Sequence, residues 1–406
     1  MFKVLSIFGT RPEAIKMAPV VRALARQKLI ESRVCVTAQH RQMLDQVLTL
    51  FDVTPDFDLD LMEAQQSLAS LTSRTMASVT ATLKEVCPDF ILVQGDTTTA
   101  MVAALAAFYQ KISVGHVEAG LRTGRLDRPF PEEMNRRVID LLSTLCFAPT
   151  QAAAEALARE GVAPERIKMT GNTVIDALRW VVGRPPSAAA HRVLKRAGLQ
   201  DVRPRLAEYE SPNAQRAGAW VDPDSAKHIL VTAHRRENFG KPLDNICKAL
   251  IQIVQRNPQV SITYPVHPNP QVLQPVQCAL GNVRNIHLVD PMEYEPFMHL
   301  MARSHLVMTD SGGIQEEAPA LGVPVLVLRN ETERPEAVEA GAVKVVGTDV
   351  EKVVAQAEQL FNCEDEYYRM ARAISPYGDG HSAQRIVDLL CQYGATTGNT
   401  LKGDDE

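Results

Sequence analysis

The chain reads Lys111-Ile112-Ser113-Val114-Gly115-His116-Val117 and then Glu118-Ala119-Gly120-Leu121-Arg122-Thr123-Gly124. The first segment is a short apolar run that predicts a buried strand. The second places an acid, two glycines and an arginine directly after that strand. Open α/β sheets carry their ligand sites at the carboxyl ends of strands. The stretch therefore predicts an α/β fold with an acid/base site for an anionic substrate.

Short apolar runs alternate with helical patterns along the whole chain, which predicts parallel sheets with helices on both faces. The expected strands of the first half are 4–8, 34–37, 90–94, 112–117, 145–148 and 167–170. Those of the second half are 229–232, 260–264, 286–289, 306–309, 325–328 and 343–346. Helices are expected at 12–26, 98–109, 243–256 and 383–390, among others.

A chain of 406 residues exceeds one ordinary core, so two domains are expected. We predict Rossmann-like domains over residues 1–171 and 172–374, facing a central cleft that is the default ligand site. A C-terminal helix within 375–395 and a disordered tail at 396–406 complete the organisation. The polar stretch 200–226 is interpreted as an exposed loop.

Composition excludes several classes of partner and site. The net charge of −5 gives no overall support for nucleic-acid binding. The N-terminal apolar run at 4–8 is too short for a signal peptide or membrane span, so a cytoplasmic protein without membrane insertion is expected. None of the 7 cysteines stands in a C-x-x-C pair, which favours free thiols over zinc or any other metal site.

Gly9-Thr10-Arg11-Pro12-Glu13 follows the first expected strand and opens a helix. Thr10 suits the N-cap and Pro12 the first turn. Free amides there favour an anion, and Arg11 and Lys16 add positive charge. A capped helix with surface cations explains the turn equally well. The motif is not G-x-G-x-x-G, so no nicotinamide cofactor is expected.

A second turn, Asp310-Ser311-Gly312-Gly313-Ile314-Gln315-Glu316-Glu317, has a stronger phosphate-binding pattern. A strand ends, two glycines allow close backbone approach, and a helix begins. We expect phosphate on the amides of Ser311 to Gly313 and ribose hydroxyls on Glu316 or Glu317. Acids in a first helical turn also stabilise the helix dipole without any ligand.

The segment His234-Arg235-Arg236-Glu237-Asn238 follows the expected strand 229–232. A histidine and two arginines at a strand end can grip a diphosphate through charge-assisted hydrogen bonds. An arginine paired with Glu237 is the alternative. His267 follows the next strand, where lone histidines are usually structural, and Phe297 by its pattern alone belongs to the core.

Three carboxylates, those of Asp96, Glu118 and Glu132, fall at expected strand ends of the first domain. Clustered carboxylates raise one another's pKa values and so yield an acid and a base at neutral pH. Helix capping explains each one singly. Asp58-Leu59-Asp60 matches the D-x-D pattern of metal-dependent glycosyltransferases, but it lies outside any expected strand-end cluster.

Taken together, these motifs resemble the non-hydrolysing bacterial UDP-N-acetylglucosamine (UDP-GlcNAc) 2-epimerases over residues 4–390. The matching stretches are Phe8 to Lys16, Gln94 to Thr99, His116 to Arg122, Pro131 to Arg136, His234 to Asn238, Asp310 to Ala318 and Glu333 to Glu336. The resemblance implies a GT-B-like arrangement. It also implies conversion of UDP-GlcNAc to UDP-N-acetylmannosamine (UDP-ManNAc) through elimination to 2-acetamidoglucal and re-addition of UDP, with neither metal nor cofactor.

The resemblance also assigns roles to particular positions. It implies catalysis by Asp96, Glu118, Glu132 and His234, and substrate binding by Arg11, Lys16, Arg136, Phe297, Ser311, Gly312, Gly313, Glu317 and Arg334. A second, allosteric UDP-GlcNAc is implied at Gln39, Gln42, Gln66, Glu133, Arg235 and His267. Gln65 and Arg128 depart from the family pattern, and the 200–226 loop is longer than usual. A homodimer and a role in surface polysaccharide synthesis are implied as well.

Three other functions remain open at this level. A hydrolysing 2-epimerase of the same fold would release free ManNAc and UDP. A GT-B glycosyltransferase would need an acceptor site, which no motif identifies. A non-enzymatic nucleotide-sugar sensor would bind UDP-GlcNAc without needing Asp96 or Glu118.

Overall fold

The computed structural model describes residues 1–37, 41–61, 66–202, 204 and 227–400, and of 41, 42 and 397–400 the backbone only. The chain forms two compact units. The first consists of Met1–Ala177 with the described residues from Tyr377 onward, and the second of Leu178–Pro376. The chain therefore leaves the first unit and returns to it, and the C-terminal helix belongs to the first unit.

The first unit is built from seven strands and their helices. Its strands are β1 (Phe2–Phe8), β2 (Ile30–Val36), β3 (Phe57–Asp58), β4 (Phe90–Gln94), β5 (Ser113–Val117), β6 (Leu145–Ala148) and β7 (Ile167–Met169). Its helices are α1 (Arg11–Leu24), α2 (Arg41–Leu50), α3 (Leu68–Val86), α4 (Thr98–Tyr109), α5 (Glu132–Leu142) and α6 (Gln151–Arg159), with a 3-10 turn at Pro164–Arg166. In α7 (Thr173–Val182) the chain passes into the second unit.

The seven strands lie in the order β3-β2-β1-β4-β5-β6-β7, and all neighbouring pairs are parallel. The order reverses between β1 and β4. Such a switch point leaves a crevice at the carboxyl ends of the two strands, where doubly wound folds bind ligands. The turns that follow β1 and β4 therefore lie side by side.

The second unit continues with β8 (Lys227–Thr232), β9 (Val260–Pro265), β10 (Ile286–Val289), β11 (Leu306–Thr309), β12 (Val325–Val327) and β13 (Val343–Val345). Its helices are α8 (Ala188–Arg196), α9 (Lys241–Arg256), α10 (Pro270–Leu280), α11 (Tyr294–Met301), α12 (Ile314–Ala320), α13 (Pro335–Glu339), α14 (Val350–Asn362) and α15 (Glu364–Ala371). A 3-10 turn spans Arg236–Asn238. The parallel strand order is β10-β9-β8-β11-β12-β13, which places the switch point between β8 and β11.

These two sheets confirm the predicted α/β class with two doubly wound, Rossmann-like domains. Each strand predicted from an apolar run is present. The short edge strand β3 was missed because two residues are too few to form a pattern. Most of the predicted loop lies outside the described residues, at 203 and 205–226.

The C-terminal helix corrects one expectation. It extends over α16 (Ser382–Thr400), so residues 396–400, predicted to be disordered, continue the helix. Tyr393 fastens this helix to the first sheet past the expected helix 383–390, since its ring packs edge-on against Phe90 at 5.3 Å and its hydroxyl lies 2.9 Å from the Ser113 hydroxyl. The first sheet thus anchors the helix beyond its predicted end. Residues 401–406 lie outside the described part.

No helix within the described ranges combines the length and hydropathy needed to cross a bilayer. All seven cysteines lie in the described part of the chain, and each is a free thiol. Burial raises the pKa of the Cys35 thiol to about 12, as it does for Cys146 and Cys247. These buried thiols therefore stay protonated and unreactive at neutral pH.

Candidate functional site

Glu118 is a buried acid of the first unit. It follows β5 directly and adopts a left-handed backbone conformation with φ 68°. Its side chain is 6% exposed, and the Lys16 ammonium donates to Oε1 at 2.6 Å and to Oε2 at 2.7 Å. The sequence predicted both residues, and the structure joins them in one ion pair across 102 positions of chain.

Two amides complete the surroundings of Glu118, and sequence reasoning missed both. Gln94, the last residue of β4, donates from Nε2 to Oε2 of Glu118. Asn172 donates from Nδ2 to Oε1 at 3.1 Å, and its own backbone N–H donates to the Tyr377 carbonyl at 2.7 Å. The carboxylate is therefore held from three sides. In the sequence, Asn172 is distinguished only as the first residue of the predicted second domain, 172–374.

Asp96 lies in the turn between β4 and α4. Its carboxylate pairs with the guanidinium of Arg136 on α5, and Asn135 donates to its backbone carbonyl at 2.9 Å. The Asp96 side chain is 32% exposed, so it remains open to a ligand. Arg136, predicted to bind substrate, thus contacts a predicted catalytic acid directly.

The adjacent acids Glu132 and Glu133 at the start of α5 have different surroundings. Glu132 is half-buried, and its carboxylate has no hydrogen-bond or ion-pair partner among the described residues. The Glu133 side chain is fully buried and accepts from the N–H groups of Thr123, at 3.0 Å, and Gly124, at 3.3 Å. It also pairs with Arg136 at 3.3 Å. Glu133 therefore ties a loop and an arginine together, whereas Glu132 is available.

In the turn after β1, more of the hydrogen-bonding groups are already used within the protein than the sequence suggested. Thr10 caps α1, and the buried Glu13 accepts from the N–H groups of Gly9, at 3.0 Å, and Thr10, at 2.7 Å. Glu13 also accepts from the Thr97 hydroxyl at 2.6 Å, which links this turn to the one after β4. Burial raises the pKa of Glu13 despite these donors.

Few first-turn amides of α1 are consequently left for an anion. Pro12 has no N–H, and the Glu13 N–H already donates to the Thr10 hydroxyl at 3.4 Å. Arg11 is half-buried, and its side chain has no ion-pair partner in the described part of the chain. Charge from Arg11 and Lys16, rather than a row of free amides, is what this turn presents.

In the second unit, the buried Asp310 organises the loop that carries His234. Its Oδ2 accepts from the backbone N–H groups of His234 and Arg235, each at 2.8 Å, and from Asn238 Nδ2 at 2.9 Å. Asp310 follows β11 and His234 follows β8, so the bonds join the two strand ends at the switch point. The sequence placed Asp310 in a motif but assigned it no role.

His234 stacks on His267, with ring centroids 5.5 Å apart and an interplanar angle of 19°. Burial lowers the pKa of His234; Asp310 opposes this, while His267 and Arg235 add to it. This lowering of the pKa favours the neutral form of the His234 ring at pH 7. His267 accepts the Asn269 N–H on Nδ1 at 3.1 Å, which places its own proton on Nε2.

The predicted phosphate turn follows β11, with one correction. The Ser311 N–H donates to the Thr309 hydroxyl at 2.9 Å and is not available to a phosphate. Among the described residues, the backbone N–H groups of Gly312 and Gly313 have no acceptor. A Cβ at Gly312 would lie 3.6 Å from the Arg235 guanidinium, which brings this predicted activator residue beside the turn.

The two acids of α12, Glu316 and Glu317, also have different surroundings. Glu316 is 4% exposed and forms an ion pair with Arg334. Glu317 is only half-buried, so it is the more accessible of the two acids and the better candidate for ribose hydroxyls. Phe297 is half-buried on α11. Of the remaining predicted activator positions, Gln66 is half-buried, while Gln39 and the side chain of Gln42 lie outside the described residues.

Comparison with known proteins covers nearly the whole chain. A family model described as UDP-N-acetylglucosamine 2-epimerase matches residues 22–391. The UDP-N-acetylglucosamine 2-epimerase of Salmonella typhimurium is 52% identical over 392 residues, 96% of this chain and 99% of the relative. The structure of the Neisseria meningitidis UDP-GlcNAc 2-epimerase bound to UDP-GlcNAc is 46% identical, with a TM-score of 0.78 over 96% of this chain and all of that one. That of the Methanocaldococcus jannaschii enzyme with UDP-GlcNAc and UDP is 30% identical, with a TM-score of 0.72 over the same shares.

Proposed function

Because the chain belongs to the UDP-N-acetylglucosamine 2-epimerase family, we propose that it interconverts UDP-GlcNAc and UDP-ManNAc without hydrolysis. In the first half-reaction an enzyme base takes the C2 proton, and the C1–O bonding electrons leave with UDP. A C1=C2 double bond remains, which gives 2-acetamidoglucal. UDP then returns to C1, and C2 receives a proton on the opposite face.

The observation that carries this proposal is the environment of Glu118. A proton-transfer group must be held at a fixed orientation within hydrogen-bond reach of its proton. Lys16, Gln94 and Asn172 hold the Glu118 carboxylate in this way, and only 6% of its side chain is exposed. Asp96 follows the neighbouring strand and supplies a second acid with its own cation.

The leaving group explains the accompanying positive charges. The C2 proton has no adjacent carbonyl and is not acidic, so C1–O cleavage must lead. Preorganised donors stabilise the charge that develops on departing UDP. We assign this to Arg11, Lys16 and Arg136 in the first unit. In the second unit we assign it to neutral His234 and the Gly312–Gly313 amides, with Glu317 on the ribose.

The proposal is tested by incubating the metal-free protein with UDP-GlcNAc in D₂O and following products by ¹H NMR. We expect UDP-ManNAc as the minor component of an equilibrium, with deuterium at C2 of both sugars. Free ManNAc as the main product would instead assign the hydrolysing reaction. Tight binding of UDP-GlcNAc without any turnover would instead point to a glycosyltransferase or to a nucleotide-sugar sensor.

We also propose that a second UDP-GlcNAc activates the enzyme, because within each unit a predicted activator residue contacts a residue predicted to bind substrate or to be catalytic. Glu133 contacts Arg136, the partner of Asp96, at 3.3 Å. In the second unit His267 stacks on His234. A ligand that moves either activator residue therefore acts on a neighbouring substrate-binding or catalytic group. The Arg235→Ala variant should weaken activation, seen as a loss of sigmoidal dependence of rate on UDP-GlcNAc; an unchanged curve would contradict this.

A homodimer is proposed from both the family and an exposed apolar patch. Phe108 and Tyr109 end α4 and are 55% and 69% exposed, and Leu141 near the end of α5 is 74% exposed. Helices α4 and α5 pack together, so these side chains lie at one end of the pair. Light scattering should give a dimer mass that Leu141→Glu reduces; a monomeric wild-type protein would contradict the proposal.

The family further supports a cytoplasmic role in supplying UDP-ManNAc for surface polysaccharides. Deleting the gene should remove ManNAc from the polysaccharide of the host cell, as measured by sugar analysis. Unchanged ManNAc content would exclude this role while leaving the enzymatic activity untouched.

A further inference from the structure

His116 is a fully buried histidine on β5, two residues before Glu118. Its Nδ1 lies 2.6 Å from Oδ1 of Asp140 on α5, and its Nε2 lies 2.7 Å from the carbonyl oxygen of Gly95. A carbonyl can only accept, so Nε2 carries a proton. The ring therefore bridges α5 and the turn that follows β4.

Asp140 is equally buried and is held as a carboxylate. Burial raises its pKa, but His116 and the nearby Arg122 together keep the pKa below its ordinary value. Arg122 donates to Oδ2 at 2.8 Å. An ionised Asp140 accepts a hydrogen bond from the His116 ring.

The two residues hold the backbone on either side of the proposed catalytic acids. His116 fixes the Gly95 carbonyl, and Asp96 is the next residue. Asp140 Oδ2 also accepts from the Gly120 N–H at 3.3 Å, two residues after Glu118. Glu118 itself has a positive φ, which a non-glycine residue keeps only where its surroundings enforce it.

We propose that His116 and Asp140 are positioning residues for the epimerase reaction, fixing the backbone that carries Asp96 and Glu118. This inference rests on the proposed function. Both side chains are buried and cannot contact a substrate. They therefore influence the reaction only by fixing the turns that carry Asp96 and Glu118. Preorganisation of this kind matters because displacement of a reacting group by about 1 Å can cost about 100-fold in rate.

Two substitutions at His116 separate positioning from simple core stability. The amide nitrogen of His116→Asn takes the place of Nδ1 and keeps the bond to Asp140, while the Gly95 bond is lost. The amide nitrogen of His116→Gln reaches the place of Nε2 and keeps the Gly95 bond, while the Asp140 bond is lost. Each variant buries one amide and loses one hydrogen bond, so their melting temperatures should agree.

The variants are compared with the wild-type protein by steady-state kinetics with UDP-GlcNAc. We expect His116→Asn to lower kcat about 100-fold while KM changes by less than about twofold, and His116→Gln to keep kcat within about fivefold of wild type. Asp140→Asn, which preserves shape, should also lower kcat at unchanged KM. These losses of kcat should occur without a matching fall in melting temperature.

Equal kcat values for the two His116 variants, or losses that simply follow melting temperature, would overturn the inference. Should a His116 variant fail to fold, wild-type kinetics in Asp140→Asn would overturn it as well. A wild-type protein that does not turn over UDP-GlcNAc removes the proposed function and this inference together. An active wild-type protein with unaffected variants removes the inference alone.

Discussion

Replacing Glu118 by glutamine keeps the shape of the side chain and removes its charge. In the structure Oε2 accepts from Lys16 and Gln94, and Oε1 accepts from Lys16 and Asn172. An amide has only one accepting oxygen. Whichever way it is turned, its NH₂ group faces one of these amide donors, and the Lys16 ammonium loses its counter-ion.

The cost to stability follows from these contacts. Removing one partner of a buried ion pair costs about 3–5 kcal/mol, and a buried donor without an acceptor costs about 1–3 kcal/mol. Lys16 is 21% exposed and can turn partly to water, which reduces the first figure. We therefore expect Glu118→Gln to lower the free energy of unfolding by about 3 kcal/mol. Adding Lys16→Met should restore about 1–2 kcal/mol by removing an ammonium that no longer has Glu118 as its counter-ion.

The effect on activity should be larger and should not be restored. Loss of a general acid or base costs about 10²–10⁴-fold in rate, which corresponds to about 3–5 kcal/mol of transition-state free energy. Both the single and the double variant should therefore show at least about 10²-fold slower exchange of the C2 proton. The Asp176→Asn variant serves as a control because its carboxylate is also buried, accepting the Ser382 and Ala383 N–H groups at 3.2 and 2.8 Å.

Deuterium incorporation at C2 of UDP-GlcNAc is followed by ¹H NMR, and unfolding is followed in urea. We expect slow exchange in both Glu118 variants, recovered stability only in the double variant, and near-normal exchange in Asp176→Asn. Exchange within about threefold of wild type in Glu118→Gln would refute the catalytic role of this residue.

Three further predictions concern the second unit. Asp310→Ala removes the acceptor of three donors at 2.8–2.9 Å. It should lower the free energy of unfolding by about 3–5 kcal/mol and weaken UDP binding. A loss of unfolding free energy below about 1 kcal/mol, measured in urea, would contradict this. Burial and Arg303 lower the pKa of His299 to about 4, against the opposing effect of Glu295, whereas an unfolded histidine titrates near about 6.5. The free energy of unfolding is therefore highest above about pH 6.5 and falls toward about pH 4, by up to about 1.4 kcal/mol per pH unit. Urea unfolding of His299→Gln should depend less on pH than that of the wild-type protein. Gly312→Ala places a Cβ at an ordinary contact distance of 3.6 Å from Arg235, so the melting temperature should stay unchanged. Calorimetry should show an affinity for UDP about tenfold weaker than that of the wild-type protein. Unchanged affinity would contradict phosphate binding at this turn.

Much of the fold can be predicted because strand and helix patterns are local. A buried parallel strand appears as a continuous apolar run, and a glycine or a polar residue marks its end. The same locality places Asp96, Glu118, His234 and Asp310 within two residues of a strand's end. The end of α16 could not be predicted in this way, since Tyr393 docks on Phe90, a residue far away in sequence.

The adjacent acids Glu132 and Glu133 mark where the local pattern stops being informative. Both start the same helix, and nothing in their order distinguishes them. The rotation of α5 against its neighbours buries Glu133 on the Thr123–Gly124 backbone and leaves Glu132 half-exposed. The difference between their surroundings is therefore a property of packing.

By itself, then, the sequence determined the doubly wound class, the positions of the strand ends and the residue types presented there, because these depend on periodicity over a few residues. Only the tertiary structure decided which side chains meet. Lys16 and Glu118 are 102 residues apart, and Asn172 and Glu118 are 54 apart. Their contact depends on the strand order, with β4 lying between β1 and β5. Strand order is set by the free energy of packing the whole sheet and its helices, which no local pattern encodes.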